Sequence, residues 1–132
     1  MSFSFAVFEI ERKTENGIEI LFLSGSLNDF AFPKLEGVLM QLQIEYPSRV
    51  ILDCSKLASV STQALVRCLS FVHSFRNNGG NLEIAGMPEI VVGYAKALGL
   101  EGKIEWHRSR AVAEKALTTR TTSRVAASNK QG

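Results

Sequence analysis

The most regular apolar pattern in the chain lies near its centre. Residues 50–52 (Val-Ile-Leu) form a continuous aliphatic run, which is typical of a strand buried on both faces of a largely parallel sheet. We expect Asp53 to end this strand and a short polar loop to follow it. Across residues 65–75, apolar side chains recur at steps of three and four, which predicts a helix with one face in a core. Ser61 or Thr62 stands where the N-cap of this helix belongs.

The first part of the chain predicts a β-hairpin. Residues 3–11 and 18–23 are strand-like, because aromatic or aliphatic side chains alternate with small or charged ones in the first and dominate the second. Asn16 and Gly17, which lie between them, favour a tight turn because both tolerate positive φ. Gly25 is expected to break the second strand.

Helices and strands alternate after the hairpin. A first helix has Pro33 in its first turn and Asn28 or Asp29 as its cap. Residues 77–80 (Asn-Asn-Gly-Gly) are expected to supply the C-cap of the central helix. Beyond it, a strand is predicted over residues 82–85, followed by a helix that begins at Pro88 and is closed by Gly99. A strand over residues 103–106 and a last helix capped by Ser109 follow, with Val112, Ala113, Ala116 and Leu117 directed inward.

The resulting order, ββαβαβαβα, predicts an α/β fold. Each strand-helix-strand step needs a crossover, so we expect a mixed, mostly parallel sheet of about five strands with an antiparallel N-terminal hairpin, packed by about four helices. The chain is long enough for one core. We expect a single domain over residues 1–117 and a disordered polar and basic tail over residues 118–132.

The charge distribution argues against nucleic-acid binding. The formal net charge is +2, but the tail alone holds Arg120, Arg124 and Lys130 and no acid, so the remainder carries about −1. The N-terminus lacks the features of a signal peptide, and no apolar run approaches the roughly 20 residues that span a bilayer. We therefore expect a cytoplasmic protein that does not insert into a membrane.

The residues that often carry catalysis or bind metals do not form a recognisable pattern. His73 and His107 are interpreted as surface histidines, and Cys54 and Cys68 as small buried hydrophobic residues rather than a disulfide. Phosphate-binding glycine loops, nucleophile elbows and metalloprotease motifs do not occur in the sequence. We predict no enzymatic activity, no cofactor and no metal site.

Three polar residues around the central strand and helix have two interpretations each. Asp53 either binds an ion or orients a hydroxyl, or it accepts backbone N–H bonds in the following turn, and the second interpretation is favoured. Ser61 and Thr62 either serve only as helix caps, or one of them accepts a phosphate that would sit at the helix N-terminus. Capping and phosphorylation are compatible.

Several short motifs together resemble the STAS family, the fold of bacterial anti-sigma factor antagonists. They occur in the family's order over residues 5–117 and are the segments 25–28 (Gly-Ser-Leu-Asn), 50–53 (Val-Ile-Leu-Asp) leading to Leu57, 79–84 (Gly-Gly-Asn-Leu-Glu-Ile), 86–88 (Gly-Met-Pro) and 99–100 (Gly-Leu). The resemblance implies the α/β fold described above. It also implies that the protein is a regulator which binds other proteins and catalyses nothing itself.

The resemblance assigns the phosphoacceptor position to Thr62. The family's junction typically reads Asp-Ser-x-Gly-Leu, where this chain has Ser61, Thr62, Gln63 and Ala64 before its leucine. Ser61 thus replaces an acid and Ala64 replaces a glycine, while Thr62 keeps a hydroxyl; Ser61 is the second phosphoacceptor candidate. The implied partner-binding surface comprises Asn28, Asp29, Asp53, Ser59, Ser61, Thr62, Gln63 and Ala64.

Two functions of different kinds follow from the resemblance, with a third by fold analogy. The first is a partner-switching regulator of transcription, which binds an anti-sigma factor with serine/threonine kinase activity when unphosphorylated and is reset by a phosphatase. The second is an accessory or scaffold subunit that is not phosphorylated, for instance in a lipid transporter or a signalling complex. The third is a small-molecule or nucleotide sensor that uses the crevice at the strand ends.

Overall fold

The order of strands and helices agrees with the predicted order. The computed structural model describes residues 6–45, 49–100 and 106–118. The strands are β1 (Glu9–Glu15), β2 (Ile18–Leu27), β3 (Arg49–Val60), β4 (Asn81–Ala85) and β5 (Trp106–His107), and the helices are α1 (Phe32–Ile44), α2 (Thr62–Asn77), α3 (Glu89–Ala97) and α4 (residues 110–118). Residues 103–105 of the last predicted strand, and the predicted tail beyond Thr118, lie outside the described residues.

The five strands form one mixed sheet in the order β1-β2-β3-β4-β5. The first pair is antiparallel and the other three pairs are parallel, which confirms the predicted sheet. The turn between β1 and β2 consists of Asn16 and Gly17, with φ values of 54° and 76°. Both residues adopt the left-handed backbone conformation, because a turn of this type matches the twist of the two strands that it joins.

Gly25 does not break β2, contrary to the sequence-based prediction. The strand continues to Leu27, and its pairing with β3 shifts register on both sides of Gly25. Gly25 has a φ of 83°, and a Cβ atom there would lie 2.0 Å from the carbonyl oxygen of Val7. The N-terminal segment crosses β2 at this point, where the Ser26 amide donates to the carbonyl of Ala6 at 3.0 Å. Glycine is therefore needed for both backbone conformation and space.

Asp53 does not end β3 either. The strand runs to Val60, and the segment expected to be a polar loop pairs with the second half of β2 up to Leu27. β4 ends at Ala85, opposite Asp53. Beyond Asp53, β2 is therefore the only strand among the described residues that pairs with β3. The exposed polar side chains of this part are compatible with a strand, because β4 has ended and no longer pairs with it.

Two apolar clusters lie on the two faces of the sheet. The larger cluster includes the predicted stripe of α2, whose members Leu65, Cys68, Leu69, Val72 and Phe75 are all buried, together with residues of α1 and α3. The smaller cluster joins Ala113 and Leu117 of α4 to the opposite face of the sheet. Val112 was predicted to point inward but is 47% exposed. Three helices thus cover one face, and α4 lies on the other.

Glycine caps end α2 and α3 as predicted. After α2, Gly79 has a φ of 82°, and the Gly80 amide donates to the carbonyl of Phe75 at 2.8 Å. After α3, Gly99 has a φ of 74°, and the Leu100 amide donates to the carbonyl of Ala95 at 2.9 Å. This bonding pattern satisfies carbonyl groups that would otherwise lack partners at the helix end.

His107 is not a surface histidine. It is half-buried in β5, and its Nε2 lies 3.1 Å from Oε2 of Glu83, a buried residue of β4. Burial lowers the pKa of His107, because a charged imidazolium is poorly solvated there. His73 is exposed on α2, as predicted. Cys54 and Cys68 are buried free thiols, which confirms their interpretation as small core residues; burial raises the pKa of Cys68 to about 12.

We expect Gly25→Ala to lower the free energy of unfolding by at least about 2 kcal/mol, because left-handed backbone is strained for alanine and the methyl group would displace the N-terminal segment. Gly37 of α1 is the matched control, since a Cβ atom there meets nothing within 4 Å. Gly37→Ala should stabilise the protein by about 0.5–1 kcal/mol through helix propensity. Urea denaturation checks both values, and equal midpoints for the two variants would contradict the role assigned to Gly25.

Candidate functional site

The candidate site lies where β2 and β3 end side by side. The amide of Ser61 donates to the carbonyl of Leu27 at 2.9 Å, so the segment that follows β2 is held next to the start of α2. The carboxyl ends of parallel strands are the usual place for binding sites in open α/β sheets. The residues brought together here are Asn28, Asp29 and Phe30 from the first segment and Ser61, Thr62 and Gln63 from the second.

Asn28 caps the turn that leads into α1 rather than the helix itself. Its side-chain Oδ1 accepts from the amide of Ala31 at 2.9 Å, and its carbonyl accepts from the amide of Phe32 at 2.9 Å. Ala31 is the N-cap of α1 and makes no side-chain capping bond. The prediction that Asn28 or Asp29 caps α1 is therefore wrong, because the N-cap lies at Ala31, about one turn further along the chain. What Asn28 does is fix the loop that presents Asp29 and Phe30.

The hydroxyl of Ser61 is engaged in two hydrogen bonds. It accepts from the amide of Ala64 at 3.1 Å, which makes Ser61 the N-cap of α2, and it donates to Oδ1 of Asp29 at 2.8 Å. The second bond joins the two loops across 32 positions of sequence. Asp29 thus brings a carboxylate to the position where the family's junction carries its own acid.

Thr62 is the first residue of α2 and is exposed. Within the part of the chain that the structure describes, its hydroxyl makes no hydrogen bond, and α2 has no acidic residue in its first turn. A helix N-terminus carries partial positive charge and backbone amides that lack helical partners. An anion attached to Thr62 would therefore lie in a favourable field on its helix side.

The remaining predicted site residues are divided between the surface and the core. Ser59 and Gln63 are exposed near the start of α2. Ala64 is fully buried in the larger cluster. The interpretation of Ala64 as part of a docking surface is therefore wrong: its methyl group fills the core where the helix begins.

Asp53 is not part of the same edge. Val60 lies seven positions further along β3, which is about 23 Å along a strand. Its Oδ1 accepts from the amide and the hydroxyl of Ser55, at 3.1 and 2.6 Å. The bond from the Ser55 amide matches the favoured interpretation, in which Asp53 accepts a backbone N–H bond, although it lies in a continuing strand and not in a turn. The bond from the Ser55 hydroxyl belongs to the alternative interpretation, in which Asp53 orients a neighbouring hydroxyl.

Two further residues of the site were not found from the sequence. Phe30 follows Asn28 and Asp29 in the loop after β2 and is 97% exposed. A large apolar residue in a short polar loop is the signal that could have revealed it. Such a side chain is not buried by folding, and exposed apolar surface often marks an interaction site. Tyr94 of α3 donates a hydrogen bond from its hydroxyl to the carbonyl of Val60, immediately before Ser61. Nothing local in the sequence indicates that contact.

Two general observations complete the description of this surface. No helix among residues 6–45, 49–100 and 106–118 is both long and apolar enough to cross a bilayer. Over the same residues, no group of three or more histidine, cysteine or acidic side chains is arranged to hold a metal ion.

The chain is similar to proteins of one family. The family model of the STAS domain matches residues 9–114, which confirms the resemblance drawn from the sequence motifs. No curated protein sequence is similar enough to the chain to count as a match.

Solved structures with the same fold have little sequence identity to this chain. An anti-sigma factor antagonist from Mycobacterium paratuberculosis is 13% identical, with 85% of this chain and 95% of that chain covered at a TM-score of 0.73. A Thermotoga maritima protein, TM1081, described as a candidate anti-sigma factor antagonist, is 16% identical, with 83% and 94% covered and a TM-score of 0.71. The phosphorylated form of the Bacillus cell fate determinant SpoIIAA is 11% identical, with 83% and 99% covered and a TM-score of 0.62. These similarities establish the fold.

We expect Ser61→Ala to lower the free energy of unfolding by about 1 kcal/mol, because the amide of Ala64 loses its cap and Asp29 loses its donor. Thr62→Ala should change stability by less than about 0.5 kcal/mol, since the threonine is exposed. The two neighbouring substitutions control for each other in urea denaturation. A larger loss for Thr62→Ala than for Ser61→Ala would show that the cap is assigned to the wrong residue.

Proposed function

Because the chain belongs to the STAS domain family, we propose that it is a partner-switching regulator of the anti-sigma factor antagonist type. In its unphosphorylated form it binds an anti-sigma factor with serine/threonine kinase activity and so releases a sigma factor. Phosphorylation of Thr62 ends this binding, and a phosphatase restores it. The chain itself catalyses no step in this cycle. The similarity to SpoIIAA, whose structure is known in phosphorylated and unphosphorylated forms, supports the proposal.

The observation that carries the proposal is the different environment of two adjacent hydroxyl groups. Ser61 is half-buried and uses its hydroxyl both as an acceptor and as a donor. A kinase would have to break both bonds to reach it. Thr62 is exposed on the first turn of α2. Thr62 is therefore the phosphoacceptor in this proposal, and Ser61 is the residue that holds the loop in place for it.

A phosphate on Thr62 would leave the fold intact and change the surface. The N-terminus of α2 favours the added negative charge, so the helix does not have to unfold. On the solvent side, up to two negative charges would join the carboxylate of Asp29 at the edge of the site. A partner that covers this edge would then have to desolvate a dianion, and binding would fail for that reason.

The surface that we assign to the partner comprises Asn28, Asp29, Phe30, Ser59, Thr62 and Gln63, all of which are exposed. Phe30 is its apolar centre. Buried aromatic anchors surrounded by polar residues dominate the binding free energy of many protein interfaces. Exposure of 97% for an aromatic ring beside the predicted phosphoacceptor is the pattern expected of such an anchor.

We expect protein purified from its native host to carry one phosphate, and the phosphate to be on Thr62. Intact-mass spectrometry before and after phosphatase treatment, followed by site mapping, measures this. Thr62→Ala should remove the modification, because the only accessible hydroxyl of the pair is lost, whereas Thr62→Ser should keep it. Ser61→Ala is the matched control and should still be phosphorylated on Thr62. A phosphate found on Ser61 in the unaltered protein would contradict the assignment.

We expect Phe30→Ala to weaken binding of the unphosphorylated protein to its kinase partner by at least about tenfold, since truncation of an interface anchor typically costs about 2 kcal/mol. Ile44→Ala is the control: Ile44 is 80% exposed at the far end of α1 and should bind like the unaltered protein. Calorimetric titration with the purified partner measures both affinities. Equal losses for the two variants would remove Phe30 from the proposed surface.

The exposure of Phe30 also favours a second candidate function. A fully exposed aromatic ring suits a permanent interface, as in an accessory or scaffold subunit of a lipid transporter or a signalling complex. Such a subunit needs no phosphoacceptor, which would agree with the replacement of the family's acid and glycine by Ser61 and Ala64. Thr62→Glu separates the two functions: it should abolish partner binding in a switch and leave it unchanged in a permanent complex.

A further inference from the structure

A cavity separate from the candidate site lies at the β5 edge of the sheet, away from β1. It is a cavity of about 700 Å³ between α3 and β5. Met87, Val92 and Trp106 contribute apolar surface to it, and Lys96 and Arg108 contribute basic groups. Its volume is in the range of roughly 300–1,000 Å³ that is typical of small-molecule sites. None of the residues proposed to contact a kinase lines this cavity.

The helix side of the cavity is open because of Gly93. A Cβ atom at this position would meet nothing within 4 Å. Glycine in the interior of a helix costs about 1 kcal/mol relative to alanine. Gly93 lines the cavity, so the absence of a side chain leaves part of the cavity open. A large side chain at this position would occupy that space.

The polar groups of the cavity favour an anion. Arg108 and Lys96 outnumber the single acid, Glu89. Burial lowers the pKa of His107, a further titratable residue of the lining. The indole Nε1 of Trp106 is buried and has no hydrogen-bond partner among the described residues. This N–H group lies beneath the surface of the cavity, where solvent does not reach it, so it reports on a ligand that contacts the indole ring without bonding to the nitrogen.

We propose that this cavity binds a small organic anion that has an apolar body. The body contacts Met87, Val92 and the ring of Trp106. The anionic group, a carboxylate in its simplest form, pairs with the guanidinium of Arg108 and the ammonium of Lys96. This binding site is independent of phosphorylation at Thr62, and its test does not need a kinase.

The test uses a feature of the composition: the chain contains one tryptophan. The proton spectrum of the ¹⁵N-labelled protein therefore has one indole N–H signal, and this signal comes from the wall of the cavity. The probe is 1-naphthoate, and its uncharged analogue 1-naphthamide is the comparison. We expect 1-naphthoate to shift the indole signal saturably at millimolar concentrations. We expect 1-naphthamide to bind about tenfold more weakly, because it lacks a charge-assisted hydrogen bond to Arg108.

Two pairs of variants locate the binding site. Gly93→Phe fills the cavity and should abolish the shift, whereas Gly37→Phe, on a helix position that is equally open, should not. Arg108→Gln should weaken binding of 1-naphthoate about tenfold and leave binding of 1-naphthamide unchanged. Lys115→Gln makes the same charge change at an exposed position of α4 and should have no effect. Dispersion of the amide signals checks that each variant is folded.

Three results would overturn the proposal. The first is an indole signal that does not respond to 1-naphthoate. The second is equal affinity for 1-naphthoate in folded Gly93→Phe and in the unaltered protein, which would place the probe elsewhere. The third is equal affinity for the charged and the uncharged probe, which would make the cavity an apolar site without preference for anions.

Discussion

The parallel pairing of β2 with β3 is the constraint on which the candidate site depends. The two strands pair from Glu19 and Val50 to Leu27 and Val60. Because they run in the same direction, both end at the same edge, and the amide of Ser61 reaches the carbonyl of Leu27 there. Only then can the hydroxyl of Ser61 join Asp29 to the first turn of α2. A shift of register would separate the two loops and break the bond between Ser61 and Asp29, while the local cap formed by Ser61 and the Ala64 amide would remain.

The register shifts in this pairing explain how the site extends beyond the rest of the sheet. β3 uses two more residues than β2 to cover the paired length, and β4 stops at Ala85, opposite Asp53. Gly86, with a φ of 69°, then turns the chain so closely past β3 that a Cβ atom would lie 3.0 Å from Cβ of Ser55. The last part of β3 therefore projects past β4, and β2 is the only described strand that pairs with it. The site lies at its tip.

The sequence predicted well those features that one segment determines by itself. The helix stripes, the Asn16-Gly17 turn and the glycine caps were predicted because period and backbone preference are local. The length of β3 was not predicted. Its residues after Asp53 are polar like those of a loop, and only the structure shows that β4 ends there and leaves this part of the strand without a second paired strand. The contact of His107 with Glu83 joins β5 to β4 and has no local signal. At the site, the sequence allowed either Ser61 or Thr62 as the cap, and the bond from the Ala64 amide identifies Ser61. The further bond from Ser61 to the distant Asp29 has no local signal.

α3 contacts both the edge with Thr62 and the cavity beside β5. Tyr94 donates to the carbonyl of Val60, one residue before the cap of α2. Burial raises the pKa of the Tyr94 hydroxyl above its ordinary value. Val92 and Gly93, on the same helix, line the cavity beside β5. A ligand in that cavity would influence the edge with Thr62 only if α3 had two positions and the ligand bound more tightly to one of them. The reason is that a ligand shifts an equilibrium by no more than its difference in affinity for the two states. The hydrogen bond from Tyr94 to Val60 is the contact through which such a difference would reach the N-terminus of α2.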